Sequence, residues 1–297
     1  MSTDTVSTVD ARDRIAGAPI SWGVCEVPGW GHQLSPERVL GEMQEVGLAA
    51  TEVGPEGFLP SDPAAQAAVL AEHRLQAVGG FVPVVLHDRQ VDPVAGVQPA
   101  LDAFLASGAR TLVLSAASGL DGYDDRPVLD DGQWRLLLAN LDAVAAHAAS
   151  LGIDSVLHPH VGTMVETPSD VERVLSGSSV ALCLDTGHLL IGGTDPAELT
   201  RQVPDRIAHT HLKDVDASWA RRVRAGEVTY TDAVRQGMYR PLGSGDVDVA
   251  AIVGALEGRG YQGWYCLEQD TILTGEPVGE GPLADVRASV AHLHSLV

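Results

Sequence analysis

The amino-acid sequence predicts an α/β chain folded as a single-domain (β/α)8 TIM barrel, on three observations. Eight short β-branched or apolar runs alternate with longer Ala/Leu-rich stretches, the pattern of a parallel sheet covered by helices. The 297 residues suit one such barrel, and no Pro/Gly-rich linker or internal repeat beyond the strand-helix unit divides them. Imidazoles and carboxylates collect where the later runs end, which is the end of a barrel that carries chemistry.

The strand runs are, in order, Ala18–Ser21, Ala50–Gly54, Gly80–Leu86, Thr111–Ala116, Ser155–His160, Ala181–Asp185, Ile207–Lys213 and Gly263–Glu268. Helical stretches lie between them at Pro36–Val46, Pro63–Ala77, Trp134–Leu151, Pro168–Leu175, Pro196–Val203 and Val247–Arg259. Ser35-Pro36, Thr167-Pro168 and Asp195-Pro196 each set a capping side chain before a proline at the first helical position. A doubly wound open sheet is the competing arrangement; eight strand-helix units favour closure. Residues 1–14 lack the apolar centre of a secretory signal and are expected as a disordered tail ahead of a barrel over 15–297. The longest connection, 215–246, carries Arg221, Arg222 and Arg224 and reads as a lid, a homo-oligomer contact or a solvated helix face.

Composition narrows the function. A formal net charge of -21 opposes nucleic acid, whose binding rests on Lys and Arg displacing counterions. No apolar run approaches the roughly 20 residues that span a bilayer, so no membrane partner is expected. Cys25, Cys183 and Cys266 are too scattered for a disulfide framework, which suggests a reducing, cytoplasmic setting. Lys213 is the only lysine of a chain otherwise supplied with arginine, and it stands inside a His-rich segment.

Four strand ends carry the candidate chemistry: His158-Pro159-His160, Cys183 to His188, His209 to Asp214, and Leu267 to Asp270. Side chains two apart share a strand face, so His158 with His160, and His209 with His211 and Lys213, point the same way. One residue per strand gives His158, Asp185, His211 and Glu268 as metal ligands. Mixed imidazole and carboxylate suits Mn²⁺ or Co²⁺ first, with Zn²⁺, Fe²⁺ and Mg²⁺ as alternatives. Trp22, Glu52, His160 and Asp214 are candidates for substrate contact; a core Trp and a surface carboxylate are the plainer readings of Trp22 and Glu52. Lys213, His188 and Glu166 are candidates for proton transfer. Cys183 and Cys266, two residues before proposed ligands, are expected to fill the barrel interior. No Gly-rich fingerprint follows a first strand, so no nicotinamide cofactor is indicated.

These segments resemble the xylose-isomerase-like barrel superfamily of sugar isomerases and epimerases. Asp185 in LDTGH, His211 in HTHLKD and Glu268 in CLEQD match its ligand order, whereas His158 stands where a Glu is usual and Glu166 is the alternative first ligand. The API-SW and TEVGPEGFLP segments and the HPHVGT-VET loop are similar to those of the inosose dehydratase branch. The resemblance implies loss of water from a cyclic polyol ketone, 2-keto-myo-inositol, through a metal-stabilised enolate. A ketose epimerase or sugar isomerase is the alternative; the partner in either case is a small polyol or keto sugar.

Overall fold

The computed structural model describes residues 10–297. Eight parallel strands close into a barrel, with helices between successive strands. In chain order the elements are β1 (Ile15–Gly17), α1 (Pro36–Glu45), β2 (Ala50–Glu52), α2 (Pro63–Glu72), β3 (Gln76–Val84), α3 (Pro93–Ser107), β4 (Thr111–Ala116), α4 (Asp131–Ser150) and β5 (Asp154–Leu157). There follow α5 (Pro168–Gly177), β6 (Ala181–Asp185), α6 (Thr186–Gly192), α7 (Pro196–Gln202), β7 (Ile207–Leu212), β8 (Asp214–Val215), α8 (Ala217–Arg224), α9 (Tyr230–Arg235), β9 (Tyr239–Arg240), α10 (Val249–Glu257), β10 (Tyr265–Leu267) and α11 (Pro282–His294). The barrel order is β1-β10-β7-β6-β5-β4-β3-β2, and β1 closes it, with Ala16 opposite both Cys266 and Ala50.

Several boundaries differ from the sequence expectation. The first strand is Ile15–Gly17 and not Ala18–Ser21, because Pro19 lacks an N–H and the chain turns through Pro19–Trp22, where Gly23 N–H bonds Ile20 O at 2.9 Å. The second helix stops at Glu72, where Leu75 N–H turns back to Leu70 O at 3.0 Å, so β3 starts at Gln76 instead of Gly80. Pro159 ends the ladder of β5 early; His158 N–H still donates to Leu114 O at 2.7 Å, and His160 lies in the loop beyond. The tail expected over 1–14 lies outside the described residues up to residue 9. Its described end, Ala11–Arg14, forms a turn whose Arg14 is buried, donating to Gly263 O at 2.8 Å and Glu257 at 2.9 Å.

The interior of the barrel is filled low down by small apolar side chains. Ala16, Ala18, Ala50, Val78 and Cys266 form one cluster, and Val113, Val156 and Cys183 another. A larger core, including Leu40, Met43, Leu101, Phe104, Leu137 and Leu141, is buried elsewhere in the protein. Segment 215–246 is structured: α8 and α9 lie in it, and β8 pairs with β9 antiparallel. On α8, Arg222 stacks over Trp219 at 4.2 Å and Arg224 donates to Leu190 O at 2.6 Å, capping the end of α6.

Candidate active site at the barrel mouth

Strand register assembles the site. Asp185, the last residue of β6, lies opposite His211 of β7, and His211 lies opposite Cys266 of β10, two residues before Glu268. Period-two alternation therefore puts Glu268 on the same inward face as Cys266, one step nearer the mouth than Asp185 and His211. A cavity of about 580 Å³ opens above, with Glu52, His158, His160, Lys213, Glu268 and Asp270 on its polar floor and Phe81, Val82 and Phe104 among its apolar walls.

Three of the four expected metal ligands converge. His211 Nδ1 lies 3.0 Å from Glu268 Oε2 and 3.7 Å from Asp185 Oδ2, and one donor atom from each of the three residues falls within 4.8 Å of the others. His158 Nε2 sits 3.0 Å from Asp185 Oδ2, and His158 groups with Asp185 and with His211 but not with Glu268. The set fits a cation. Glu52 Oε1 accepts from His211 Nε2 at 2.8 Å and so turns Nδ1 toward the other two residues; burial opposes charge on this ring, but the surrounding acidic groups, Glu268 and Glu52 among them, outweigh burial and hold its pKa well above the usual value. That buried Nδ1 has no hydrogen-bond partner and faces two carboxylate oxygens. An ion taking the place of the Nδ1 proton would find one imidazole nitrogen and two carboxylate oxygens, a donor set that suits a divalent cation, with Glu52 orienting the imidazole.

Lys213, beyond the end of β7, is buried against this set. Its Nζ lies 2.9 Å from Glu268 Oε2, 3.6 Å from Asp185 Oδ2, 3.3 Å from His188 Nε2, and in contact with Asp270 Oδ1. Burial alone would lower its pKa, but Asp270, Glu268 and Asp185 outweigh burial and hold it well above the usual value. Of the two roles open to Lys213 in the sequence, the ammonium donor is therefore the one these protein groups support. Burial likewise opposes charge on Glu268, yet His211 and Lys213 prevail and hold its pKa at about 2. Burial keeps His188 and His160 neutral, well below the ordinary imidazole range. The glycine of LDTGH has a steric reason: a Cβ on Gly187 would lie 2.7 Å from Lys213 Cβ and 2.9 Å from the Tyr239 ring.

Other expected residues fall inside and outside the cluster. Glu52 is buried, not a surface carboxylate, and bridges His209 and His211 at 2.8 Å each. His160 and His188 stack at 3.6 Å beside the cavity. Trp22 is buried in the core, its Nε1 donating to Glu42 at 2.7 Å, and it does not line the cavity. Glu166 is turned away to Arg126 at 3.2 Å and to Gly162 N–H at 2.9 Å, so it joins neither the ligands nor Lys213. Asp214 accepts the N–H groups of Val215, Gly243, Gly245 and Val247 at 2.8–3.0 Å, which makes it the pin of the connection after β8. A Cβ at Gly245 would sit 2.3 Å from Asp214 Oδ1, so that pin requires glycine.

Cys183 and Cys266 are fully buried, as expected for interior filling, and burial pushes the Cys183 thiol up to about 12. Sequence reasoning missed four members. His209 and Asp270 lay on faces already marked by alternation, whereas Tyr230 and Tyr239 come from the connection after β7, where no periodicity pointed inward. Tyr230 OH contacts Asp270 Oδ2 and lies 3.0 Å from Tyr239 OH.

The family profile described as xylose isomerase-like TIM barrel matches residues 26–296. The chain belongs to that family. It is 34% identical over 266 residues to the rhizopine catabolism protein MocC of Rhizobium meliloti, covering 86% of this chain and 81% of that protein. It is 32% identical over 275 residues to an inosose dehydratase of Geobacillus kaustophilus, covering 86% and 87%. Solved structures share the fold: the IOLI protein with a bound zinc atom superposes with a TM-score of 0.69 at 13% identity, covering 96% of this chain and 98% of that one. A 3-keto-D-glucoside 4-epimerase from E. coli superposes at 0.65 and 19% identity, covering 95% and 99%. Among the described residues no helix is long and apolar enough to cross a membrane.

Proposed function

We propose that this protein is a metal-dependent dehydratase that removes water from a cyclic polyol ketone, 2-keto-myo-inositol, with manganese or cobalt as its ion. The observation that carries the reading is the position of Lys213 Nζ, 2.9 Å from Glu268 Oε2 and beside the Asp185–His211–Glu268 set on the floor of one cavity. Similarity to proteins named inosose dehydratase supports the substrate class.

Asp185, His211 and Glu268 would hold the ion, with His158 as the fourth residue beside Asp185. A divalent ion so placed supplies Lewis-acid polarisation of the ketone oxygen. The chain itself supplies donors. Lys213 as ammonium, with Asp270 holding it in place, reaches the departing hydroxyl; removing such an acid typically slows a reaction about 10²- to 10⁴-fold. His188 lies beside this lysine, with Nδ1 3.4 Å from Val161 N, and Nε2 3.3 Å from Lys213 Nζ and 3.6 Å from Asp270 Oδ2. His188 is proposed to contact the substrate at the same place. The fifth-strand loop brings His158 and His160, and not the second carboxylate that returning a proton in an epimerase would favour.

The deciding assay follows diketone formation from 2-keto-myo-inositol by the purified metal-loaded protein, beside epimerisation of ketohexoses. Diketone formation with no ketohexose turnover is expected. Turnover of the ketohexoses alone would replace the dehydratase with an epimerase.

A further inference from the structure

Water loss next to a ketone needs a base for the carbon-bound proton, and the Lys213 ammonium does not provide one, nor does the neighbouring His188, whose Nε2 faces that ammonium at 3.3 Å. The carboxylates on the cavity floor are already engaged. Glu52 accepts from His209 and His211, Glu268 is shared by His211 and Lys213, and Asp270 takes Lys213 and Tyr230. Glu26 and Glu56, the other carboxylates of the lining, are exposed loop residues.

One acceptor on the floor is free. His160 Nδ1 lies 2.6 Å from Val161 O, and a carbonyl can only accept, so the ring proton is on Nδ1 and Nε2 carries the lone pair. Among the described residues Nε2 has no protein partner, and the ring lines the cavity. The ring is also rigid, stacked between His188 at 3.6 Å and Tyr123 at 4.2 Å. The Val161 carbonyl thus makes His160 an acceptor at Nε2.

We propose that His160 is the general base, taking the proton from the carbon beside the ketone onto Nε2; this rests on the dehydratase reading above. The C–H electron pair becomes a carbon–carbon double bond while the carbonyl π pair moves to oxygen. As that pair returns, the β carbon–oxygen bond breaks, and its pair leaves with the hydroxyl, which takes a proton from the Lys213 ammonium and departs as water. Proton exchange between the His160 imidazolium and the Lys213 amine resets both groups.

The test reads exchange separately from elimination. In D2O, wild-type enzyme is expected to wash deuterium into the carbon beside the ketone and to form diketone. His160→Gln should lose both about 10²- to 10⁴-fold with its metal content intact, whereas Lys213→Arg should lose diketone formation and keep the wash-in. Added imidazole should restore wash-in to His160→Ala, which a purely structural role would not allow. Wild-type wash-in in His160→Gln overturns the proposal. Wash-in without diketone in the wild type overturns the dehydratase reading and leaves the base in place. Independently of activity, the ¹⁵N shifts of metal-free wild type should report His160 protonated on Nδ1. A proton on His160 Nε2 would remove it as the base, whatever the variants do.

Discussion

Two levels of the barrel interior lie two residues apart on the same strands and differ completely in chemistry. At the lower level stand Ala50, Val156, Cys183 and Cys266, packed and fully buried. At the upper level the same strands carry Glu52, His158, Asp185 and Glu268, also buried, with His158 paired to Asp185 and both Glu52 and Glu268 paired to His211. Only His209 breaks the rule: it sits opposite Cys183 at the lower level, and Glu52 reaches across to bond it at 2.8 Å. The lower level gives a floor through closeness of fit, and the upper level gives function because its charges find partners or a ligand instead of water.

The largest effect that sharpens this contrast is removal of the ion from the upper level. Exhaustive chelation is expected to abolish turnover, and manganese or cobalt to restore it, with about one ion bound per chain by elemental analysis. Asp185→Ala should lose both ion and activity, since it removes the oxygen that faces His211, His158 and Lys213 together. Full activity after chelation, with no metal found, would end the metal mechanism.

Next comes Lys213. Because arginine is planar, bulkier and effectively never deprotonated, Lys213→Arg should fail almost as badly as Lys213→Ala, by about 10²- to 10⁴-fold in kcat with the ion retained. Equal kinetics in wild type and Lys213→Arg would strip the lysine of its role.

The upper level was legible in the sequence because a strand's period of two is rigid: once Asp185, His211 and Glu268 are seen to end strands, their convergence follows. Lys213 was legible by its rarity. What escaped was set by geometry outside that period. The expected first strand starts three residues late, since the three residues Ile15–Gly17 suffice to pair there and the turn at Pro19–Trp22 looks equally apolar. Asp214 and Glu166 were assigned to the site for standing near it in sequence; the first instead anchors backbone N–H groups and the second pairs with Arg126. Tyr230 and Tyr239 arrive by a tertiary fold-back of the connection, for which no local pattern exists.

At the lower level the expected effect is on stability and not on chemistry. Val156→Ala removes two methyl groups from a site with almost no solvent contact and should cost about 1 to 3 kcal/mol in chemical denaturation. Its kcat and metal content should remain those of the wild type. A selective loss of turnover at unchanged stability would show that the two levels are not separable.

The smallest effect is expected at Glu166, which tests whether nearness in sequence to the site means membership of it. Its carboxylate is about one-fifth exposed and meets Arg126 Nε at 3.2 Å, while Oε2 also accepts from Gly162 N–H, two residues beyond His160. Glu166→Gln keeps an oxygen for Gly162 and surrenders only the charge toward Arg126, which retains Asp170 at 2.9 Å. Partly solvated ion pairs contribute about 0–1 kcal/mol, so stability should fall by no more than that. The Val161 carbonyl that sets the His160 ring would stay in position, so kcat should remain within about threefold of wild type, since a factor of ten already requires about 1.4 kcal/mol at the transition state. A loss of 10²-fold or more in Glu166→Gln, with the ion still bound, would return Glu166 to the proton transfers and displace His160 from them.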